Sequence, residues 1–280
     1  VYKRQGTTGT QASFLELFNG DYSKVKELNK IVCNSMGFTK WVPVSGQTYS
    51  RKWDFKIIST LSSISQSAYK MCSDLRLLAS MKEIEESFTT NQIGSSAMPY
   101  KRNPMYSERI CSLSRYVMGL PNSASNTHAN QWFERTLDDS AIRRIILPES
   151  FLAVDTIITT LTNVVTNLQV WPAIINNHIE SELPFMASEV ILMQCVKAGG
   201  DRQMLHELLR KHSIEAGIRV KEYGEKNDLL DRIRKDINFS AVHKNLNDLL
   251  LPKLFIGCAP QQVEDFINDI LNPVLNKCDI

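Results

Sequence analysis

The sequence predicts an all-α protein in which a bundle of long helices is followed by a small helical domain. Segments with apolar residues spaced by three and four dominate the chain, and alternating β-branched runs bounded by turns are nearly absent. Of the 280 residues, 43% are hydrophobic and 22% are charged, which is typical of a globular chain with a large core. We expect the bundle to occupy residues 1–171 and the small domain to occupy residues 172–280.

The first long helix is predicted from Arg51 to Ser87. This segment contains neither proline nor glycine. Its apolar residues recur every three or four positions, at Phe55, Ile58, Leu61, Ile64, Ala68, Met71, Leu75, Leu78 and Met81. The spacing predicts a helix of about ten turns and roughly 55 Å, a length that is typical of helical bundles.

A second long helix is predicted from about Leu137 to Val170. Thr136 followed by Asp139 is the pattern of an N-cap with an acidic residue at the third helical position. Three polar residues interrupt the apolar stretch of this segment, namely Asp155, Asn163 and Asn167. The interruptions favour a buried bundle helix over a membrane span.

Shorter helices are predicted after Pro172, where glycine and proline residues interrupt the chain more often. We expect them at about 186–197, 201–223, 228–235, 239–250 and 261–276. The change in helix length places the domain boundary near residue 171.

Charge and cysteine usage exclude several classes of protein. Lys and Arg number 32 and Asp and Glu number 30, so no overall field attracts nucleic acid or a membrane surface. The six cysteines and five histidines are scattered without metal-ligand spacing, and no signal peptide is evident. We therefore expect a cytoplasmic protein without a metal or a cofactor, in which any anion is held by a local site.

One polar loop, Ile93 to Arg109, interrupts the helical pattern with the sequence IGSSAMPYKRNPMYSER. Gly94 allows unusual backbone angles, and Asn103 followed by Pro104 predicts the N-cap and first residue of the next helix. A helix N-terminus offers free amide donors and partial positive charge, and Lys101 stands beside it. The loop is therefore either an anion site or an ordinary capped helix start.

The order of residues in this loop resembles the signature of the fumarase/aspartase superfamily, approximately GSSxMPxKxNxxxxE. The matching residues are Gly94, Ser95, Ser96, Met98, Pro99, Lys101, Asn103 and Glu108. The segments GTTGTQASF, SGQTYSRK and QWFERTLDDSAIRR are similar to those of the adenylosuccinate lyase family of animals and related organisms. The likeness runs over essentially the whole chain but covers only the later part of such an enzyme.

The resemblance implies a carbon–nitrogen lyase of purine biosynthesis that acts on small-molecule purine nucleotides. Adenylosuccinate would give AMP and fumarate, and the succinyl-carboxamide ribotide would give its carboxamide and fumarate. The family's pattern implies Ser95 as the general base, with Lys101 and Asn103 stabilising the substrate carboxylate. Removing a proton next to a carboxylate builds up negative charge, so both a base and fixed positive charge are needed.

Other residues match the family's substrate contacts, namely Gln47, Arg109, Arg135, Ser140 and Arg144. Ser140 and Arg144 are four residues apart and share a helix face. The alternative is that each arginine is solvated or forms an ion pair with a nearby acid. The family also implies a homotetramer whose active sites are shared between subunits, with neither nucleic acid nor membrane as partner.

The chain departs from the family's pattern in one respect. The family's general-acid histidine belongs to segments upstream of the Gly/Thr loop, and none of the five histidines here lies in a matching motif. The chain also begins VYKRQGTTG, without methionine, so we expect a fragment that lacks complete sites. Two alternatives are another fumarate-releasing lyase, such as argininosuccinate lyase or a cycloisomerase, and an inactive helical scaffold.

Overall fold

The computed structural model describes residues 9–87, 98, 100–133 and 137–278. Helices make up nearly all of the regular structure in this part of the chain, which confirms the predicted all-α class. The chain divides into two compact units, Val1–Val170 and Trp171–Ile280. Each unit is described by itself below.

The first unit is a bundle of helices with one very short sheet. Its helices are α1 (Ala12–Leu17), α2 (Tyr22–Ser35), α3 (Lys52–Ser80), α4 (Met105–Ala129) and α5 (Asp138–Thr166). Strands β1 (Ile84–Glu85) and β2 (Gln169–Val170) pair antiparallel, with Ile84 opposite Val170.

Helices α3, α4 and α5 run alternately up and down the bundle. One buried cluster joins the early part of α3 to the end of α4 and the early part of α5, through Ile58, Ala124 and Ile146. A second cluster joins the later part of α3 to the start of α4 and the later part of α5, through Cys72, Ile110 and Ile157. The start of α4 therefore lies at the opposite end of the bundle from the starts of α3 and α5.

Helix α3 ends at Ser80, seven residues before the predicted end at Ser87. Lys82 has a φ of 64°, and its backbone N–H donates to the Ala79 carbonyl over 3.0 Å. The Glu83 N–H donates to the Leu78 carbonyl over 3.0 Å, which completes a Schellman motif. The helix stops because this turn directs the chain into β1, where the predicted helix would have continued.

Helix α5 begins at Asp138, with Leu137 at the N-cap and without a side-chain cap. Thr136, the predicted cap, lies outside the described residues. Asp139 is 2% exposed and accepts a hydrogen bond from Arg51, and its predicted capping role with Thr136 stays a prediction. The length and composition of α5 alone would suit a membrane span, but the helix packs against α3 and α4 in the clusters described above.

The second unit is a set of shorter helices around its own core. Its helices are α6 (Pro172–Met186), α7 (Ser188–Lys197), α8 (Arg202–Tyr223), α9 (Leu229–Lys235), α10 (Ala259–Phe266) and α11 (Asn272–Leu275), with a π-helical turn at Ile267–Leu271. The core includes the fully buried residues Ile191, Leu229, Ile233 and Phe239.

The α-helix predicted at 239–250 is absent. Two 3₁₀ helices, Ile237–Val242 and Asp248–Leu250, flank a run of turns there. The Asp236 carboxylate accepts from the Asn238 N–H over 3.0 Å and starts the first of them. The tight turns still bury Phe239 and Leu249, so they satisfy the apolar spacing that had predicted an α-helix.

Candidate active site

The described site residues form two groups at opposite ends of the first unit. Lys101, Asn103 and Arg109 lie at the start of α4. The other group, Gln47, Ser140 and Arg144, lies beside the starts of α3 and α5. Arg51 contacts the start of α5 and Cys72 neighbours the first turn of α4, so the two helix starts are about 32 Å apart along α3 at 1.5 Å per residue. A single copy of the bundle does not bring the two groups together.

Two predicted site residues, Ser95 and Arg135, lie outside the described residues. Two backbone hydrogen bonds form turns in the described part of the signature segment. The Lys101 N–H donates to the Met98 carbonyl over 3.0 Å, and the Met105 N–H donates to the Asn103 carbonyl over 2.8 Å. The side chains of Lys101 and Asn103 are both exposed, so the amine and the amide are accessible to a ligand at this surface.

The start of α4 differs from the prediction by one residue, because Pro104 is the N-cap and Met105 is the first helical residue. The first-turn amides are already bound. Glu86 accepts from the Tyr106 N–H over 3.0 Å and from the Ser107 N–H over 2.7 Å. The Ser107 hydroxyl donates to the same carboxylate over 2.6 Å. Of the two alternatives given by the sequence, an anion site or a capped helix start, these two amides fit the capped start, because the protein's own carboxylate occupies them.

A buried thiol lies beside this carboxylate. Cys72 of α3 neighbours Ser107 and Cys111 of α4, and all three residues are buried. Burial, reinforced by Cys111 and Glu86, raises the pKa of Cys72 to about 11. The thiol therefore stays protonated at neutral pH and adds no negative charge to the junction.

Arg109 is exposed on α4, one turn after the helix start. Its guanidinium carbon lies 5.7 Å from the centroid of the Tyr106 ring. A cation placed over an aromatic ring keeps its charge and is held by the ring quadrupole. Arg109 is thus a fixed positive group on the same end of the bundle as Lys101.

Gln47 is exposed in the chain segment that precedes α3, whereas Ser140 and Arg144 lie in the first two turns of α5. Ser140 is half-buried and Arg144 is exposed. Their spacing of four residues places both side chains on one face of α5. This second group can offer an amide, a hydroxyl and a guanidinium to one ligand.

A buried ion pair that the sequence analysis did not identify ties these elements together. The Arg51 Nε donates to the Asp139 Oδ2 over 2.5 Å, and the two side chains are 4% and 3% exposed. The Arg51 backbone N–H donates to the Gln131 side-chain oxygen over 3.1 Å. The Gln131 amide in turn donates to the Thr48 hydroxyl over 3.2 Å. The segment containing Gln47 is therefore bound to the start of α5.

A second pair reinforces this connection. The Tyr49 hydroxyl donates to Asp54 over 2.7 Å, and the Arg143 guanidinium bonds both groups. Burial and the neighbouring carboxylate raise the pKa of Tyr49, so its hydroxyl stays protonated. Burial lowers the pKa of Arg143, but the pair with Asp54 outweighs that effect and raises it overall. The charged residues of SGQTYSRKWD and DDSAIRR are visible in the sequence, but the sequence does not indicate which of them form ion pairs with each other.

An open groove of about 990 Å³ lies between the end of α4 and the start of α5. Its lining is rich in amides and hydroxyls, including Asn122, Ser123, Asn126, Thr127 and Asn130. Within the described residues, no group of three or more His, Cys, Asp or Glu side chains could hold a metal ion.

Two family models match separate parts of the chain. A family model described as "Adenylosuccinate lyase C-terminus" matches residues 184–266. A second family model, described as "Lyase", matches residues 17–119 and includes the signature segment.

Curated relatives match almost the whole chain. Adenylosuccinate lyase of Saccharomyces cerevisiae is 51% identical over 271 residues, which cover 97% of this chain and 56% of that protein. The enzymes of Schizosaccharomyces pombe and Schistosoma mansoni are 50% and 49% identical over 97% and 98% of this chain. The chain spans about half the length of the curated relatives it matches.

Solved structures show the same fold at low sequence identity. The 3-carboxy-cis,cis-muconate lactonizing enzyme of Pseudomonas putida matches 92% of this chain and 54% of its own, with a TM-score of 0.71 and 20% identity. The class II fumarase of Schistosoma mansoni matches 71% of this chain and 38% of its own, with a TM-score of 0.51 and 17% identity.

Proposed function

Because the chain belongs to the adenylosuccinate lyase family, we propose that it acts within an enzyme that eliminates fumarate from adenylosuccinate to give AMP. The same enzyme would convert the succinyl-carboxamide ribotide into its carboxamide and fumarate. The observation that carries the proposal is the signature segment, whose lysine and asparagine are intact and exposed at the start of α4. No cofactor enters the proposed reaction.

In the proposed reaction, Ser95 removes a proton from the carbon next to a substrate carboxylate. The electrons of that C–H bond form the double bond of fumarate, and the C–N bond breaks with its electron pair on nitrogen. Lys101 and Asn103 stabilise the negative charge that develops on the carboxylate, as a cation and an amide donor. We assign the proton donor for the leaving nitrogen to no residue of this chain.

We also propose that Gln47, Arg109, Arg135, Ser140 and Arg144 bind the substrate. Cationic and hydroxyl groups suit the phosphate and carboxylates of the nucleotide. Gln47, Ser140 and Arg144 lie beside the start of α5, whereas Arg109 lies beside the start of α4, about 32 Å away along α3 between the two helix starts, so the groups of one copy do not surround one small ligand. That separation supports active sites shared between subunits.

We propose a homotetramer on the same grounds. Helix α5 leaves several apolar side chains roughly half exposed, including Ile145, Phe151, Leu152, Ile158 and Val165. A helical face of this kind is suited to packing against another copy. In the chain extended upstream to its native start, mixing a Lys101→Ala protein with an Arg144→Ala protein should give more fumarate release than either variant gives alone. Residues acting within one subunit would give no such recovery.

The direct test compares fumarate release from adenylosuccinate by this chain and by the same chain extended upstream to its native start. Lys101→Ala in the extended protein should lower kcat by about 10²- to 10³-fold, because one electrostatic donor to the developing charge is lost. Lys70→Ala is the matched control, because Lys70 is an exposed lysine on α3 that pairs only with Asp74 among the described ion pairs.

Argininosuccinate serves as the alternative substrate. Release of fumarate from it, with none from adenylosuccinate, would contradict the proposal. Absence of turnover with either substrate would favour a scaffold without catalysis.

We place the enzyme in the cytoplasm, which the six free cysteines support because oxidising compartments favour disulfides.

A further inference from the structure

A single buried carboxylate joins the chain before the signature segment to the last part of that segment. Glu86 precedes the segment, and its two oxygens accept three hydrogen bonds from Tyr106 and Ser107, at the start of α4. We propose that Glu86 is a positioning residue, which fixes the start of α4 and thereby the placement of Lys101 and Asn103. This inference rests on the proposed function of that segment.

The position of Glu86 is unusual for a helix cap. The first amides of a helix have no partner within the helix, and a side chain at the N-cap normally binds them. Here the N-cap is Pro104, whose side chain offers no acceptor. The acceptor comes instead from Glu86, 20 positions before Tyr106, so the contact joins two distant parts of the chain as well as capping the helix.

Burial makes this contact strong and selective. Glu86 is only 9% exposed, and a buried carboxylate is costly unless donors surround it. Two backbone amides and one hydroxyl, at 2.6–3.0 Å, supply those donors at the positive end of α4. Moving the start of α4 away from Glu86 would leave the carboxylate without these donors. The contact therefore holds the start of α4 at a fixed distance from the end of β1.

A further contact restrains Arg102, which lies just before the start of α4. Arg102 lies 3.4 Å from the carboxylate of Glu85, the neighbour of Glu86 in the chain. Glu85 itself belongs to β1, which pairs with β2. Asn103 therefore lies between Arg102 and Tyr106, which both contact residues at the end of β1, and Lys101 directly precedes Arg102.

Loss of Glu86 should therefore affect the chemical step more than substrate binding. Gln47, Ser140 and Arg144 lie at the other end of the bundle and keep their positions, and Arg109 lies beyond the first turn of α4, so KM should change less than kcat. Misplacement of a catalytic group by about 1 Å can cost about 10²-fold in rate. We expect Glu86→Gln to lower kcat by about 10- to 100-fold, because its NH₂ group would face an amide donor.

Ser107→Ala should give a smaller loss of kcat, since it removes one of the three hydrogen bonds and leaves both amide contacts. The matched control is Val117→Ala, which opens a cavity at a fully buried position of α4 without touching Glu86. A purely structural role for Glu86 predicts that Glu86→Gln and Val117→Ala proteins of equal thermal stability have equal kcat. A positioning role predicts a lower kcat for Glu86→Gln alone.

The test uses the chain extended to its native start, with kinetics and amide hydrogen exchange measured on each variant. Glu86→Gln should speed exchange across 105–110 and lower kcat, while Val117→Ala leaves kcat unchanged. Unchanged amide exchange across 105–110 would show that Glu86 does not hold the start of α4. Faster exchange with unchanged kcat would overturn the positioning role and leave the lyase proposal intact.

Failure of the proposed function gives a different result, because the unsubstituted protein would then release no fumarate. Amide exchange across 105–110 would still test the Glu86 contact in that case. If Glu86→Gln does not fold, Ser107→Ala and the protection of 105–110 in the unsubstituted protein decide the question. Unprotected amides there, or full activity in Ser107→Ala with unchanged exchange, would count against the inference.

Discussion

The buried pair between Arg51 and Asp139 is a sensitive test of how the first unit is held together. The pair joins the start of α3 to the start of α5, with both side chains below 5% exposed. Arg51→Met keeps the apolar stem of the side chain but removes the guanidinium. The backbone contact from residue 51 to Gln131 remains possible, so the change in stability reports on the side chain.

The expected magnitude follows from what remains after the substitution. An intact buried ion pair contributes little net stability, but removing one partner leaves the other charge buried without compensation and costs about 3–5 kcal/mol. The Arg51 guanidinium also lies 4.6 Å from the centroid of the Tyr49 ring, a contact worth about 0.5–1 kcal/mol. Adding Asp139→Leu should restore at least about 2 kcal/mol, because the buried carboxylate that has lost its guanidinium is then removed.

Urea unfolding followed by tryptophan fluorescence measures these changes. Trp53 and Trp132 are close in sequence to Arg51 and Gln131, so they report on this end of the first unit. Lys70→Met is the control, because it breaks an ion pair on α3 whose side chains are 78% and 49% exposed. That loss should stay below about 0.5 kcal/mol. A cost below about 1 kcal/mol for Arg51→Met, or a double variant less stable than the single one, would refute the reasoning.

Two further predictions concern local structure. Lys82→Gly should raise the free energy of unfolding by about 0.5–1 kcal/mol, since the residue has a φ of 64° that glycine adopts without strain; a lower urea midpoint would contradict this. Burial raises the pKa of Asp236, but hydrogen bonds from His212 and Asn238 outweigh it and hold the pKa below its usual value. Asp236→Asn should therefore reduce stability above about pH 4, and the difference from the unsubstituted protein should shrink as the pH falls through the lowered pKa. Equal losses at pH 7 and at pH 2 would show that the carboxylate charge is not the cause.

The long helices were predictable because their signal is local. Apolar residues at helical spacing mark α3 and α5 in the sequence itself, and the structure confirms both elements. The end of α3 was not predictable, because it depends on a positive φ at a lysine. Helix α2 was missed although Asp21 signals its start, where the carboxylate accepts from Ser23 and Lys24.

The polar contacts could not be predicted in the same way, because their partners are distant in sequence. Arg51 and Asp139 are 88 residues apart, and the charges of both segments were equally compatible with solvated side chains. Glu86 shows the same limit. A helix start beside a lysine indicates that some anion binds there, but only the fold reveals that a carboxylate of the chain itself reaches the amides first.

The length of the bundle links these observations to the proposed chemistry. Glu86 holds the start of α4, and with it the signature segment, at one end of the bundle. The ion pairs of Arg51 and Arg143 hold the start of α5 at the other end. Neither group of site residues can move toward the other without breaking buried contacts. An elimination needs its base, its cations and its binding groups around one small ligand. Rigid ends about 32 Å apart therefore favour assembly over conformational change as the way to complete a site. Two bundles packed side by side in opposite directions would place the start of α4 in one copy near the start of α5 in the other.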